Sequence, residues 1–206
     1  MIRLLGKIPQ KTSIAVSGGL DSMAALSFLT NNTNRELKVL YFNHGTSHGL
    51  EAEEFLNDYC NKKDIKIIIG KISREKNRSE SPEEYWRNCR YEFFKHNSCG
   101  FPIITCHHLD DQIETWIFTS LHGTSRLIPY KRGTIIRPFL ITKKQQLIDW
   151  SEKYDIPYIE DPSNKNTKYM RNHIRHNIVQ NCLGVNPGLY KTLHKKILNN
   201  YKDIIT

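Results

Sequence analysis

The chain has 206 residues, 38% hydrophobic and 25% charged, which fits one globular domain with at most a small appendage. No run approaches the ~18 uninterrupted apolar residues of a membrane span, Met1 to Lys7 is too short for a secretory leader, and the scattered cysteines form no C-x-x-C pair, so the expectation is a cytoplasmic protein with reduced thiols and no disulfide framework or zinc ribbon. The formal charge of +9 is uneven: residues 1–120 carry 15 basic and 15 acidic side chains, residues 121–206 carry 15 and 6, and a basic last part predicts a polyanion docking near it.

Short apolar runs alternate with helical patterns from the start. Thr12–Val16 reads as a buried strand followed by a helix from about Asp21 to Thr30. Leu37–Phe42 and Ile65–Ile69 are the second and third strands, separated by a helix over about Leu50 to Lys62; the third is too short and too β-branched to be helical. Pro82 suits a first helical position, with its helix reaching about His96, and Phe101–Thr105 is a fourth strand leading into a helix over Leu109–Leu121. Beyond that, Thr134–Ile136 is a short strand among Gly and Pro punctuation. Thr142 is placed to cap a helix reaching Tyr154, and helical segments resume near Tyr169 and after Pro187. This order predicts an α/β fold with a five-stranded parallel sheet, helices on both faces and a short helical C-terminal extension. The division is a domain over 1–183 and a basic tail over 184–206. Ligands in such sheets bind beyond the carboxyl ends of the strands.

Three polar strings stand at those ends. Ser17-Gly18-Gly19-Leu20-Asp21-Ser22 follows the first strand; its glycines permit positive φ and close backbone approach, so successive N–H groups can converge on a phosphate at a helix N-terminus. The lysine of a Walker A loop is missing, and Asp21 beside phosphates calls for a bridging Mg²⁺. A plain tight turn whose Asp21 is merely the N-cap of the helix is the alternative. Asn43-His44-Gly45 follows the second strand. His107-His108-Leu109-Asp110-Asp111-Gln112-Ile113-Glu114 follows the fourth, where Asp111 and Glu114 share a helix face and can hold a divalent cation; zinc is the rival, weakened because adjacent histidines point in different directions. Elsewhere, Arg87 and Arg90 share a face of the third helix, in the manner either of an anion site or of a surface ion-pair helix. Arg171 and Arg175, four apart, follow the turn-rich Asp161-Pro162-Ser163-Asn164.

The first string resembles the pyrophosphatase loop of ATP pyrophosphatases, which split ATP between its α and β phosphates. With Glu83–Tyr91, His107–Glu114, Ile136–Leu140 and Glu160–Arg175, the chain from about Ser13 to Asn181 resembles the N-terminal catalytic domain of the tRNA(Ile)-lysidine synthetases, of the adenine nucleotide alpha hydrolase fold type. The resemblance implies ATP and Mg²⁺, an isoleucine tRNA with a CAU anticodon, free L-lysine, and no membrane. It implies ATP contacts from Ser17, Gly18, Gly19, Leu20, Asp21, Ser22, Asn43, His44 and His107. Asp21, Arg87, Asp111 and Glu114 would be catalytic, Asp21 and Asp111 near the metal, and Arg137, Asn164, Arg171 and Arg175 would grip the tRNA. Two features depart from the family. Thr46-Ser47 stands where Leu-Arg is usual, and the sequence stops at Thr206 without the family's C-terminal domains, so recognition rests on the basic half, a homo-oligomer or a partner. Another loop-bearing tRNA- or nucleotide-modifying enzyme, and a non-catalytic tRNA- or nucleotide-binding relic, are the alternatives.

Overall fold

The computed structural model describes residues 1–31, 33–98, 100–162 and 170–205. Strands β1 (Lys11–Ala15), β2 (Glu36–Asn43), β3 (Lys66–Lys71) and β4 (Ile103–Thr105) pair in parallel, as the βαβ order requires. A hairpin of β5 (Lys131–Arg132) and β6 (Ile135–Ile136) extends the sheet beyond β4, with β6 parallel to β4 and β5 antiparallel to β6. The sheet therefore has six strands, in the order β3-β2-β1-β4-β6-β5, rather than the expected five in parallel. The additional strand is two exposed basic residues before a turn at Gly133 (φ 59°), and a segment that short has no apolar period to read.

Helices α1 (Leu20–Thr30), α2 (Ser47–Lys62), α3 (Pro82–Asn97), α4 (Leu109–Leu121) and α5 (Lys144–Lys153) cover the sheet. Strand alternation separates two apolar layers. Val39, Tyr41, Ile104 and Ile136 enter the main core with Met23, Leu26 and Leu56, while Leu40, Ile103 and Ile135 meet Phe94 of α3, and Phe42 meets Tyr85 and Cys89. Helix α2 starts before the expected Leu50 because the Thr46 hydroxyl accepts the Gly49 N–H at 3.0 Å. Ser81 likewise caps α3, with Pro82 in its first turn. Thr142 does not cap α5. Its hydroxyl donates to the Arg3 carbonyl, and the Lys144 N–H is instead met by the Asp110 carboxylate at 2.7 Å.

The described C-terminal part is helical: α6 (Met170–His173), a π turn over Ile174–Ile178, α7 (Val179–Val185), α8 (Leu189–Asn200) and α9 (Lys202–Ile205). Leu189, Leu193 and Ile197 recur every four residues on one face of α8 and lie buried in the main core. No helix among the described residues is long and apolar enough to cross a membrane.

Candidate active site

The strand order reverses between β1 and β4, and the loops that follow these two strands flank the switch point at which sheets of this kind bind ligands. Gly18 sits at φ +86°, in the left-handed region, and a Cβ there would meet Ile159 at 3.1 Å. The Ile159 N–H donates to the Gly18 carbonyl at 3.0 Å, so the chain after α5 lies against the loop. The Ser17 N–H donates to the Ser22 hydroxyl at 3.1 Å, and that hydroxyl donates to the Gly19 carbonyl at 2.9 Å, closing the bend. Gly19 is the N-cap of α1 and offers no side-chain acceptor, so the N–H groups at Leu20 and Asp21 begin the helix without a cap. A helix start with uncapped donors and a positive dipole end favours an anion.

Asp21 joins this loop to α4. Its Oδ2 lies 3.5 Å from His108 Nε2 and 3.6 Å from Lys144 Nζ, and the Cys106 thiol donates to its carbonyl at 3.0 Å. Burial works against ionisation of Asp21, but His108, Lys144 and Arg175 outweigh it and lower its pKa. His108 is buried too, which disfavours its charge, yet Asp111, Asp21 and Asp110 lift its pKa to about 9. The imidazolium is therefore the hub of three carboxylates. Oδ1 of Asp21 is buried without a hydrogen-bond partner. An orphaned carboxylate oxygen beside an anion loop, with Asp111 across the same histidine, fits Mg²⁺, which takes one or two carboxylates and completes its shell with phosphates and water.

Asp111 and Glu114 share a face of α4, as their spacing requires. Asp111 accepts the His108 N–H at 3.0 Å, and its pKa is lowered because His108 and His107 overcome the effect of burial. Glu114 is 3% exposed and is gripped by Arg175, Nε at 2.6 Å and an Nη at 3.1 Å. Burial raises its pKa despite that partner. Arg171 Nε lies 3.7 Å from the same carboxylate, and Arg175 Nη2 lies 3.6 Å from Asp111. Arg175, expected to grip tRNA, pairs with the acids, and Arg171, expected to do the same, lies near Glu114 with its side chain 58% exposed. The π turn carries Arg175, and one extra residue in a helical turn re-aims the side chains beyond it.

A second group forms around Tyr91. The Arg87 and Arg132 guanidiniums lie 5.5 and 5.3 Å from its ring centre, and Arg137 donates to its hydroxyl at 3.4 Å and to the Pro129 carbonyl at 2.8 Å. Burial pulls the pKa of Arg90 and of Arg137 down, and their charged neighbours are Tyr91 and other arginines. Arg137, expected to grip the tRNA, is 3% exposed, and its Nε has no hydrogen-bond partner among the described residues. Buried Arg137 and half-buried Arg90, with exposed Arg87 and Arg132 beside them, concentrate positive charge suited to an anion. Two histidines face it. Burial lowers His107 to about 4, with Arg137, Arg171 and Arg90 adding to the effect, and burial with Arg90 lowers His44 to about 4. His107 contacts the Thr105 hydroxyl at 2.9 Å, so the adjacent histidines do point apart. Asn43 is buried, accepts the Gly45 N–H at 2.8 Å and donates to Glu53 at 2.7 Å; Gly49 leaves it room, since a Cβ there would come within 2.6 Å of its oxygen.

The structure thus brings Asp21, Asp111, Glu114, Arg171 and Arg175 into one network and sets Arg87, Arg137, His44 and His107 beside it. Asn164 lies outside the described residues. His108, Lys144 and Arg132 were missed from sequence. His108 had a signal in the His-His pair, whereas Lys144 and Arg132 are ordinary surface-type charges placed by tertiary packing.

An anion loop after β1, a partly buried acid–base cluster after β4 and a parallel sheet between them define a nucleotide-handling α/β domain. The chain belongs to the PP-loop domain family, whose model matches residues 4–182. It is 37% identical over 183 residues to the tRNA(Ile)-lysidine synthase of Staphylococcus aureus, covering 81% of this chain and 42% of that protein. The protein of the same name from Pseudothermotoga lettingae is 33% identical over 183 residues, with 82% and 41% covered. The chain therefore spans about two fifths of the length of these relatives. Among solved structures, the U34-tRNA thiolase NcsA of Methanococcus maripaludis with its [4Fe-4S] cluster superposes with a TM-score of 0.72 at 16% identity, over 92% of this chain and 72% of that one. That likeness is one of fold. The NH3-dependent NAD synthetase of Campylobacter jejuni matches with a TM-score of 0.51 at 15% identity, over 97% and 85%.

Proposed function

We propose that this chain uses ATP to ligate lysine to carbon 2 of the wobble cytidine of an isoleucine tRNA with a CAU anticodon, through an adenylated tRNA. The observation that carries this reading is the continuity of the site: the phosphate loop and the two acids of α4 belong to one charged network, joined at Asp21 and His108 across 3.5 Å. The sequence similarity to tRNA(Ile)-lysidine synthases supports the choice of substrates.

In the first step the cytosine O2 attacks the α-phosphorus, the bond to the β-phosphate oxygen breaks, and pyrophosphate leaves toward Ser17–Ser22. Mg²⁺, held by Asp21 with Asp111, would neutralise phosphate charge. Arg87 would balance charge on the transferring phosphoryl group, a role that works best with donors fixed in advance. In the second step the lone pair of the lysine ε-amine (Nζ) attacks carbon 2, the C–O bond breaks, and AMP departs with the oxygen. Only the neutral amine is nucleophilic, so a carboxylate must attract the ammonium and accept its proton. Glu114 suits this proton transfer, because burial raises its pKa and Arg175 fixes its orientation. His44 and His107, neutral at pH 7, would line the adenosine side without opposing the arginines.

The test is a mixture of protein, ATP, Mg²⁺, radiolabelled lysine and tRNA transcript. ATP-dependent label in the tRNA is the expected result. Release of AMP with tRNA but without lysine incorporation would assign a different nucleophile, and no ATP turnover would leave a binding module.

A further inference from the structure

Arg137 and Arg175, two of the arginines that sequence assigns to tRNA, are engaged with protein partners, while the Arg171 side chain is 58% exposed. Helix α8 carries further basic charge of residues 121–206. Its sequence, LYKTLHKKILNN, contains no acid. Leu189, Leu193 and Ile197 are buried, and the exposed half consists of Lys191, Thr192, Lys195, Lys196, Asn199 and Asn200. None of the three lysines has an ion-pair partner among the described residues.

Tyr190, on a flank of α8 that turns away from Lys195 and Lys196, ties the helix to the candidate active site. The Tyr190 hydroxyl donates to Asp110 at 2.6 Å, at the start of the helix that carries Asp111 and Glu114. Lys143 lies 5.0 Å over the Tyr190 ring, and Arg3 joins Lys143 beside His194, where both act with burial to keep that histidine's pKa low. Lys144, next in the chain, reaches Asp21. From Tyr190 the helix carries Lys195 and Lys196 roughly 8–9 Å further along its axis, at ~1.5 Å per residue. The exposed face of α8 thus offers three ammonium groups and the side-chain amides of Asn199 and Asn200, all of them donors that suit phosphate oxygens.

We propose that the exposed face of α8, with Lys143 at its base, docks the phosphate backbone of the RNA substrate and leads it to the site. This rests on the tRNA reading above. A phosphate track fits better than a lipid surface because the apolar side of α8 is already committed to the core, leaving nothing to insert into a bilayer.

The experiment compares the parent chain with Lys191→Gln/Lys195→Gln/Lys196→Gln, a set that keeps helix propensity. Binding of an unmodified transcript of the isoleucine tRNA is followed by fluorescence anisotropy across KCl concentrations, and ATP binding is measured on the same preparations. The expected result is a tRNA Kd weakened about tenfold or more, with the slope of log Kd against log salt shallower by about 2, since each phosphate contact contributes ~0.7–0.9. The Kd for ATP stays unchanged. Lys62→Gln/Lys63→Gln, two exposed lysines at and beyond the end of α2, leaves both quantities unchanged. An unaltered tRNA Kd and slope in the triple variant would overturn the proposal, as would equal losses in both variants. Loss of binding to anionic vesicles with tRNA binding intact would reassign the face to a membrane. A parent chain that binds ATP but no tRNA at any salt would refute the RNA reading itself.

Discussion

Replacing Arg175 with Met separates the inward role found for this residue from the RNA-gripping role expected of it. Arg175 makes two hydrogen bonds, at 2.6 and 3.1 Å, to a carboxylate that is 3% exposed, while its own side chain is 30% exposed. Removing one partner of a fully buried ion pair costs ~3–5 kcal/mol, because the other charge is left desolvated. Here the exposed fraction of Arg175 and the remaining Arg171, 3.7 Å from Glu114, reduce the expected loss to about 2–3 kcal/mol. In a chain of this size that lowers Tm by about 5–10 °C. The assay is thermal unfolding followed by circular dichroism for the parent, Arg175→Met, Glu114→Gln and the double variant. Removing both charges relieves the stranded carboxylate, so the double variant recovers more than half of the loss, and the cycle gives a coupling of at least about 1 kcal/mol. A single variant within about 1 °C of the parent, with tRNA affinity reduced instead, would refute the inward assignment.

Stability has opposite limbs in pH. His108, raised to about 9 from 6.5, contributes stability that is fully present below the unfolded value and lost as pH rises through 9, up to about 3 kcal/mol. His44 and His107, lowered to about 4, contribute stability present above 6.5 and lost as pH falls toward 4. Tm measured against pH therefore peaks near neutrality, and His108→Asn flattens the alkaline limb alone; a steep alkaline limb in that variant would show that another group titrates there. Gly18→Ala forces a side chain into the left-handed region at ~1–2 kcal/mol and against Ile159, so ATP binding by calorimetry weakens about tenfold, whereas unchanged affinity would remove the loop from the nucleotide site. Arg87→Ala lowers tRNA-dependent pyrophosphate release by ~10²-fold with little change in tRNA Kd. Equal losses in both would make Arg87 chiefly an RNA contact.

The elements that the sequence displays best are those whose burial follows a period. α4 begins and ends where expected, and the first four strands lie within two residues of their predicted positions, because an apolar run between turn residues has few other folds available. The bend at Ser17–Ser22 and the shared face of Asp111 and Glu114 are legible for the same local reason: the geometry of each depends on neighbours in sequence. What sequence left hidden is tertiary. Arg171 and Arg175 are aligned on a helical pattern, but whether that face looks outward or onto Glu114 depends on how the helix docks and on a π turn. Arg137 reads as a surface cation and is buried because the β5–β6 hairpin folds beside Tyr91. Lys144 gains its place from the Asp110 carboxylate at the start of α5, a contact across 34 positions.

The chemistry proposed for the loop is decided most directly by where ATP is cut. Phosphorus NMR of a reaction containing the protein, ATP, Mg²⁺, lysine and the tRNA transcript should show AMP and pyrophosphate appearing together in equal amounts, and neither when the transcript is omitted. ADP and inorganic phosphate under the same conditions would place the cleavage at the terminal phosphate and contradict adenylyl transfer.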